Sequence, residues 1–207
     1  MQEDSCSSYN QKPPLLMATA KSVLLNWPNI VGYVRILLLL VFLMTDRIEL
    51  YMISYLLDAL DGYLARKFDQ CTIFGATLDM VVDRISSSVI LLTRLYSPYN
   101  LFYVMLDWAS HFIHMQASLL SKSKSHKAMD YNSTILHYYY FNRIILFSVC
   151  FGYELFSILN FIGFKDNLMY IYYISGGIFY LKHCIHALQM TKALEAILNL
   201  DLKEMSK

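Results

Sequence analysis

The chain has 207 residues and a formal net charge of +1, with 57% hydrophobic and only 16% charged residues. Soluble domains carry about 25% charged residues. Together with a mean hydropathy of +0.39, these values favour an all-α integral membrane protein with several spans. The near-zero net charge provides no broad basic surface, which argues against nucleic acid as a partner.

The N-terminal residues 1–27 are predicted to form a polar segment followed by a juxtamembrane helix. The first fourteen residues are polar and end in Pro13-Pro14. They lack the basic start and apolar run of a secretory signal peptide. The apolar stretch 15–25 is too short to cross a bilayer, so we expect an amphipathic helix lying along the membrane interface.

Residues 28–188 are predicted to form one domain of six transmembrane helices. The apolar segments that predict them are 28–45, 48–68, 72–95, 100–120, 135–158 and 168–188. Asp46 and Arg47 are predicted to form the first turn. Residues 189–207 alternate charged and apolar residues, which predicts a cytoplasmic tail with an amphipathic helix.

Lysine and arginine are distributed unequally among the predicted loops. Ten lie on one side of the membrane, at Lys12, Lys21, Arg66, Lys67, Lys122, Lys124, Lys127, Lys192, Lys203 and Lys207. Three lie on the other, at Arg47, Arg94 and Lys165. Because basic residues are enriched in cytoplasmic loops, both termini and the bend near Gln70 are predicted to face the cytoplasm.

Four aspartates interrupt the two apolar segments on either side of that bend. Asp58 and Asp61 are three residues apart, and Asp79 and Asp83 are four apart, so each pair shares one helix face. Asp61 and Asp79 each lie nine residues from Gln70. An antiparallel helical hairpin would bring these two to the same depth, with the other pair about one turn deeper.

Four clustered carboxylates inside a membrane predict a divalent-metal site. An unpaired acid costs roughly 2.5–3.5 kcal/mol at mid-membrane, and neighbouring carboxylates repel one another. Oxygen ligands suit Mg²⁺ or Mn²⁺, and two such ions can clamp the attacking and leaving oxygens of a phosphoryl displacement. Gly62 and Gly75 leave room for a ligand beside the helices. Arg66 is placed to bind a phosphate.

The four acids allow two interpretations other than a metal site. The acids could form buried salt bridges with the arginines Arg35, Arg66, Arg84 and Arg143, but such bridges need neither the regular spacing nor the glycines. The acids could also mark a transport pathway, but those acids are usually spread over several helices or broken ones. Here all four lie in one predicted hairpin.

The pattern Asp58-x2-Asp61-Gly62-x2-Ala65-Arg66-x8-Gly75-x3-Asp79-x3-Asp83 resembles the signature of the CDP-alcohol phosphatidyltransferases. The resemblance implies a membrane enzyme with six transmembrane helices and two divalent ions that displaces CMP from a CDP-activated lipid or alcohol. Segments 28–36, 106–118 and 138–147 are similar to the eukaryotic members that use inositol. That similarity implies CDP-diacylglycerol and myo-inositol as substrates, a homodimer, and a location in the endoplasmic reticulum.

The resemblance also implies a role for each residue of the pattern. Asp58 and Asp79 would serve both metals, Asp61 would belong to the first metal and Asp83 to the second. Asp83 would also be the catalytic base that takes a proton from the attacking inositol hydroxyl. The CDP moiety would be bound by three residues, Gly62, Arg66 and Thr72.

A polar stripe in the fourth predicted span allows two interpretations. It consists of Asp107, His111, His114 and Ser118 at helical spacing. It could provide hydrogen bonds between helices or a dimer contact, or it could face the alcohol pocket and recognise inositol. Two other functions remain open for the whole chain: an enzyme of the same family with a different acceptor alcohol, and a non-catalytic membrane metal carrier.

Overall fold

The structure is a computed structural model that describes residues 20–93, 97–124, 134–163 and 168–206. The regular structure in these ranges is helical, in eight helices: α1 (Ala20–Leu24), α2 (Trp27–Thr45), α3 (Ile48–Lys67), α4 (Ile73–Thr93), α5 (Pro98–Lys124), α6 (Thr134–Phe141), α7 (Arg143–Ile162) and α8 (Met169–Met205). The chain divides into two compact units, residues 1–93 and 94–207. The all-α prediction is therefore confirmed for the described residues.

The first unit is built around α2, which packs against both α3 and α4. Its buried apolar side chains include Leu39, Phe42, Tyr51 and Val82. The rings of Phe42 and Tyr51 lie 5.7 Å apart between centroids and join α2 to α3. The two acid-bearing helices are therefore held by a third helix, and not by their hairpin alone.

The turn between α2 and α3 lies at the predicted residues. Asp46 adopts left-handed backbone angles, φ 54° and ψ 20°, and its N–H donates to the carbonyl oxygen of Phe42 at 2.8 Å. An aspartate tolerates this conformation better than most residues because its short side chain can hydrogen-bond locally. The helix therefore ends at Thr45, and α3 begins two residues after Asp46.

The bend between α3 and α4 is fixed by hydrogen bonds around Gln70. The backbone N–H of Gln70 donates to the carbonyl oxygen of Ala65 at 2.9 Å. Its side-chain oxygen accepts from the backbone N–H of Trp27 at 3.1 Å. Asp69 takes a positive φ of 54°. The bend that was predicted at Gln70 is therefore attached to the start of α2.

In the second unit, α8 packs against α5 and α7, and α6 packs against α7 and α8. One apolar cluster is formed by Leu136, Tyr139, Val149 and Ile185. Gly152 on α7 allows close approach, because a Cβ atom there would lie 2.7 Å from the side chain of Ile178 on α8.

The fifth predicted span is not one continuous helix. Asn142 interrupts it, with φ −93° and ψ 101°, and separates α6 from α7. The side-chain oxygen of Asn142 accepts hydrogen bonds from the N–H groups of Ile144 and Ile145, at 3.0 and 3.2 Å. This N-cap satisfies backbone donors that the interruption exposes.

The ends of the chain differ in how closely they follow the predictions. The helix predicted for the tail is present, but it continues α8 without a break through Met205. At the other end, α1 lies within the stretch predicted to be interfacial. The residues before Ala20 are outside the described ranges.

Two of the helices, α2 and α7, are long and apolar enough to cross a membrane by length and composition. By comparison, α3 has 20 residues and α4 has 21, but they carry the aspartates and other charged residues. A model of six spans stays a prediction.

Candidate active site and metal centre

The four predicted aspartates converge on the guanidinium group of Arg35. Its Nη1 atom lies 2.8 Å from Asp58 Oδ1, 2.8 Å from Asp61 Oδ2 and 3.3 Å from Asp79 Oδ1. Its Nη2 atom lies 2.6 Å from Asp83 Oδ1. Acids that are up to 25 residues apart in the sequence therefore share one cation.

Helix periodicity explains this arrangement. The three-residue and four-residue spacings place each acid pair on one face of its helix, and α2 packs against both helices. The backbone beside Arg35 is also held, because the Ser54 hydroxyl donates to its carbonyl oxygen at 3.3 Å. Arg35 itself is only 2% exposed, so its guanidinium is enclosed by the site.

The cluster is negatively charged and open on one side. The side chain of Asp61 is 9% exposed, whereas those of Asp58 and Asp79 are both 39% exposed. Asp83 is 33% exposed, and its second oxygen lies 3.9 Å from the guanidinium of Arg84. Four carboxylates thus face one close guanidinium and one distant one. The remaining negative charge favours binding of cations from the open side.

The residues present fit divalent metal ions of the magnesium class. Oxygen atoms of Asp58, Asp61 and Asp79 all lie within 4.8 Å of one another. A set of carboxylate oxygens is what Mg²⁺ and Mn²⁺ prefer in proteins. The prediction of salt bridges is also correct in part, because Arg35 contacts all four acids. One guanidinium does not balance four carboxylates, so the two interpretations are compatible.

The three residues predicted to bind CDP lie at the cytoplasmic end predicted for the hairpin. A Cβ atom on Gly62 would lie 3.4 Å from Nη1 of Arg66, so the guanidinium covers this glycine. The hydroxyl oxygen of Thr72 accepts from the N–H of Gly75 at 2.9 Å and caps α4. Gly75 was expected to make room for a ligand. In the structure it faces the Asn29 amide oxygen, 3.0 Å from the position of a Cβ atom.

Residues of the polar stripe on α5 contact two neighbouring helices of the second unit, α8 and α6. Asp107 Oδ1 lies 3.2 Å from His111 Nδ1 and 3.3 Å from His186 Nδ1 on α8. The ring of His114 stacks on Tyr140 of α6, with centroids 6.3 Å apart. The stripe therefore makes contacts between helices. Recognition of inositol by these residues stays a prediction.

The sequence suggested Arg35 only as one of four arginines that could pair with the acids, and it did not indicate a role for His186. Arg35 is the only charged residue in an otherwise apolar span, which by itself signals a buried partner. His186 carries a weaker signal, because a histidine within an apolar segment is compatible with many packing roles. Their partners are distant in the sequence, so local patterns do not reveal them.

Fold and site together define a class: a helical membrane protein with a carboxylate site suited to divalent metal ions. The chain belongs to the CDP-alcohol phosphatidyltransferase family, whose model matches residues 25–160. The matched region contains all four aspartates and Arg35. Members of this family are membrane-bound, in agreement with the two apolar helices.

Several curated relatives named CDP-diacylglycerol–inositol 3-phosphatidyltransferase are similar to this chain. The relative from Candida albicans is 43% identical over 67% of this chain and 65% of its own length. The human relative is 37% identical over 76% of this chain and 75% of its own length. The relative from Saccharomyces cerevisiae is 42% identical over 67% of this chain and 68% of its own length. No solved structure matches the chain significantly.

Proposed function

We propose that this chain is an enzyme that transfers the phosphatidyl group from CDP-diacylglycerol to myo-inositol, giving phosphatidylinositol and CMP. The observation that carries the proposal is the convergence of Asp58, Asp61, Asp79 and Asp83 around one point of the first unit. The names of the curated relatives support the choice of inositol as the acceptor.

The four aspartates are proposed to hold two divalent ions, Mg²⁺ or Mn²⁺. When bound, these ions supply positive charge that stabilises the transferred phosphate and the departing CMP. Asp58 and Asp79 face the open side of the cluster, which suits ligands shared between two ions. Asp61 is more deeply buried and would hold the first ion only. Arg35 would keep the four carboxylates together.

Asp83 is proposed to be the catalytic base as well as a ligand of the second ion. It removes the proton from an inositol hydroxyl, whose oxygen attacks the lipid-side phosphate of CDP-diacylglycerol. A new P–O bond forms to inositol, and the P–O bond to CMP breaks. A third of the Asp83 side chain is exposed, so a hydroxyl can approach it directly.

The CDP moiety is proposed to bind at Gly62, Arg66 and Thr72. Arg66 presents a planar guanidinium, which can bind a phosphate through two parallel hydrogen bonds. Thr72 uses its oxygen to cap α4, which leaves its O–H as a donor to the nucleotide. A side chain at position 62 would contact the Arg66 guanidinium, so Gly62 leaves that group free to turn toward the nucleotide.

The protein is also proposed to be a multi-pass homodimer of the endoplasmic reticulum, with its termini and active site toward the cytoplasm. The unequal distribution of lysine and arginine supports this orientation. Inositol and CMP are water-soluble, so a site that opens to the cytoplasm would exchange them without a transport step.

The function is tested by measuring CMP release from labelled CDP-diacylglycerol. The purified protein receives Mg²⁺ or Mn²⁺ and one alcohol from a panel of inositol, serine, glycerol phosphate and choline. We expect release with inositol alone, and a fall of at least about 100-fold in Asp83→Asn, as for loss of a catalytic base. The matched control is Asp201→Asn, an exposed carboxylate on α8, which should retain full activity.

Two outcomes would contradict this function. Release with a different alcohol would assign the chain to another reaction of the same family. Absence of release with either metal, with Asp83→Asn indistinguishable from the parent protein, would favour the metal carrier.

A further inference from the structure

A second cluster of metal-ligating side chains lies in the other unit of the chain, between α5 and α8. Asp107 and His111 come from α5, and His186 comes from α8. One ligand atom from each residue lies within 4.8 Å of the other two. The rings of His111 and His186 meet edge to face, at 84° and 5.0 Å between centroids.

The two distances from Asp107 in this cluster are close to those around a tetrahedral metal ion. Asp107 Oδ1 lies 3.2 Å from His111 Nδ1 and 3.3 Å from His186 Nδ1. Zinc–ligand bonds of about 2.0–2.2 Å place neighbouring ligand atoms of a tetrahedron about 3.3–3.6 Å apart. These two distances lie within a few tenths of an ångström of such an arrangement, and the third ligand–ligand distance is at most 4.8 Å.

The burial of this cluster favours a bound cation. The side chains of Asp107 and His186 are only 3% and 4% exposed. A carboxylate removed from water loses several kcal/mol of solvation, and a divalent ion would help to compensate for this loss.

Two buried polar atoms beside the cluster indicate that it is incomplete. His183 Nε2 and Gln189 Oε1 have no hydrogen-bond partner among the described residues. They flank His186 at three residues on either side of α8, and the rings of His183 and His186 are 5.6 Å apart. His183 Nδ1 lies 2.8 Å from the Phe179 carbonyl oxygen. Donation to that oxygen leaves a lone pair on Nε2, the form that can bind a metal.

We propose that Asp107, His111 and His186 bind one transition-metal ion of the zinc class, which clamps α5 to α8. Two imidazoles and one carboxylate suit Zn²⁺ and related ions, whereas Mg²⁺ prefers oxygen ligands alone. His111 Nδ1 also lies 2.9 Å from the Asp107 carbonyl oxygen. Metal binding through this atom would replace its contact with that oxygen. This site is separate from the carboxylate cluster and does not depend on the function proposed above.

The test uses the full-length protein in lipid nanodiscs, stripped with a chelator and then titrated with Zn²⁺ or Cu²⁺. Zinc content is measured by mass spectrometry, and Cu²⁺ ligation is measured from nitrogen hyperfine splitting in electron paramagnetic resonance. Four variants are compared: His186→Asn, His111→Asn, His137→Asn and Asp79→Asn. His137 is an exposed histidine stacked on Phe141 and is the matched control. Asp79→Asn removes one carboxylate from the four-aspartate cluster of the first unit, and it tests whether the bound ion lies there instead.

We expect the nitrogen splitting in the parent protein, in His137→Asn and in Asp79→Asn. In His186→Asn and His111→Asn the splitting should fall from the pattern of two nitrogens to that of one at most, and zinc affinity should fall at least about tenfold, the lower end of the effect of even outer-shell changes. If the parent protein shows no nitrogen splitting, the proposal is wrong, whatever the variants show. Unchanged zinc binding in His186→Asn, with a raised inositol requirement, would overturn it in favour of direct recognition of the acceptor.

Discussion

Arg35 lies at the centre of the carboxylate cluster. A guanidinium offers five N–H donors in a fixed plane, so it can contact several carboxylates at once. Here two of its nitrogen atoms contact four acids at 2.6–3.3 Å. Without this cation, four carboxylates would repel one another across the middle of the first unit. Arg35 is therefore expected to hold the proposed metal ligands close together.

The substitution Arg35→Gln should destabilise the metal-free protein far more than the metal-loaded one. Removal of one partner from a buried ion pair costs about 3–5 kcal/mol because the other charge stays buried. Mn²⁺ would restore the missing positive charge and reduce the loss. The measurement is the thermal unfolding temperature of both proteins, in chelator and in saturating Mn²⁺.

Arg47→Gln is the matched control for this comparison. Arg47 is exposed in the turn between α2 and α3 and contacts none of the four acids in the described structure. Its substitution should leave both unfolding temperatures within experimental error. An equal loss for Arg35→Gln with and without Mn²⁺ would show that Arg35 acts through packing and not as a counter-ion.

Helix contacts in the second unit depend on close approach between α7 and α8. At Gly152, a Cβ atom would lie 2.7 and 2.8 Å from side-chain carbons of Ile178. These distances are below normal contact, and the atoms belong to a β-branched side chain with little freedom to move. Gly177 on α8 offers a comparison, because nothing lies within 4 Å of its Cβ position.

Gly152→Ala should therefore lower stability by about 1–3 kcal/mol, as expected for overpacking. Gly177→Ala should leave stability unchanged or raise it by up to about 1 kcal/mol through helix propensity. Thermal unfolding of the two variants and the parent protein in one detergent gives the comparison. Equal unfolding temperatures for the two variants would show that α7 and α8 do not approach this closely.

At the scale of the elements, the sequence predicted most helix bounds and the turn at Asp46 because caps and turns are set by neighbouring residues. It also placed four aspartates together from their spacing alone. It did not predict the interruption at Asn142, since the surrounding residues remain apolar on both sides. Spacing within one segment did not single out Arg35 among the four arginines that could pair with the acids, and it gave no partner for His186, because these partners lie on other helices.

For the whole molecule, the distribution of basic residues predicts which side of the membrane each turn faces. With 20 residues, α3 is about 30 Å long at 1.5 Å per residue, close to the thickness of the hydrocarbon core. It runs from the turn at Arg47 to the bend at Gln70. These two positions should therefore lie on opposite sides of the bilayer.

The orientation is tested with single cysteines in a cysteine-free version of the protein in sealed microsomes. In Gln70→Cys the thiol should react with a membrane-impermeant reagent added outside, which is the cytoplasmic side. In Arg47→Cys it should react only after the microsomes are opened with detergent. The reverse pattern would show that the topology is the opposite of the proposed one. Labelling of both cysteines from outside would show that α3 does not cross the membrane.

The length of α8 has a mechanical consequence. Its 37 residues extend about 55 Å, nearly twice the roughly 30 Å of the hydrocarbon core. His186 lies near the midpoint, 17 residues after the first residue of the helix and 19 before the last. Because the helix is continuous, a displacement of its polar end, by a bound protein or an attached probe, would be transmitted along the backbone to the segment that carries His186.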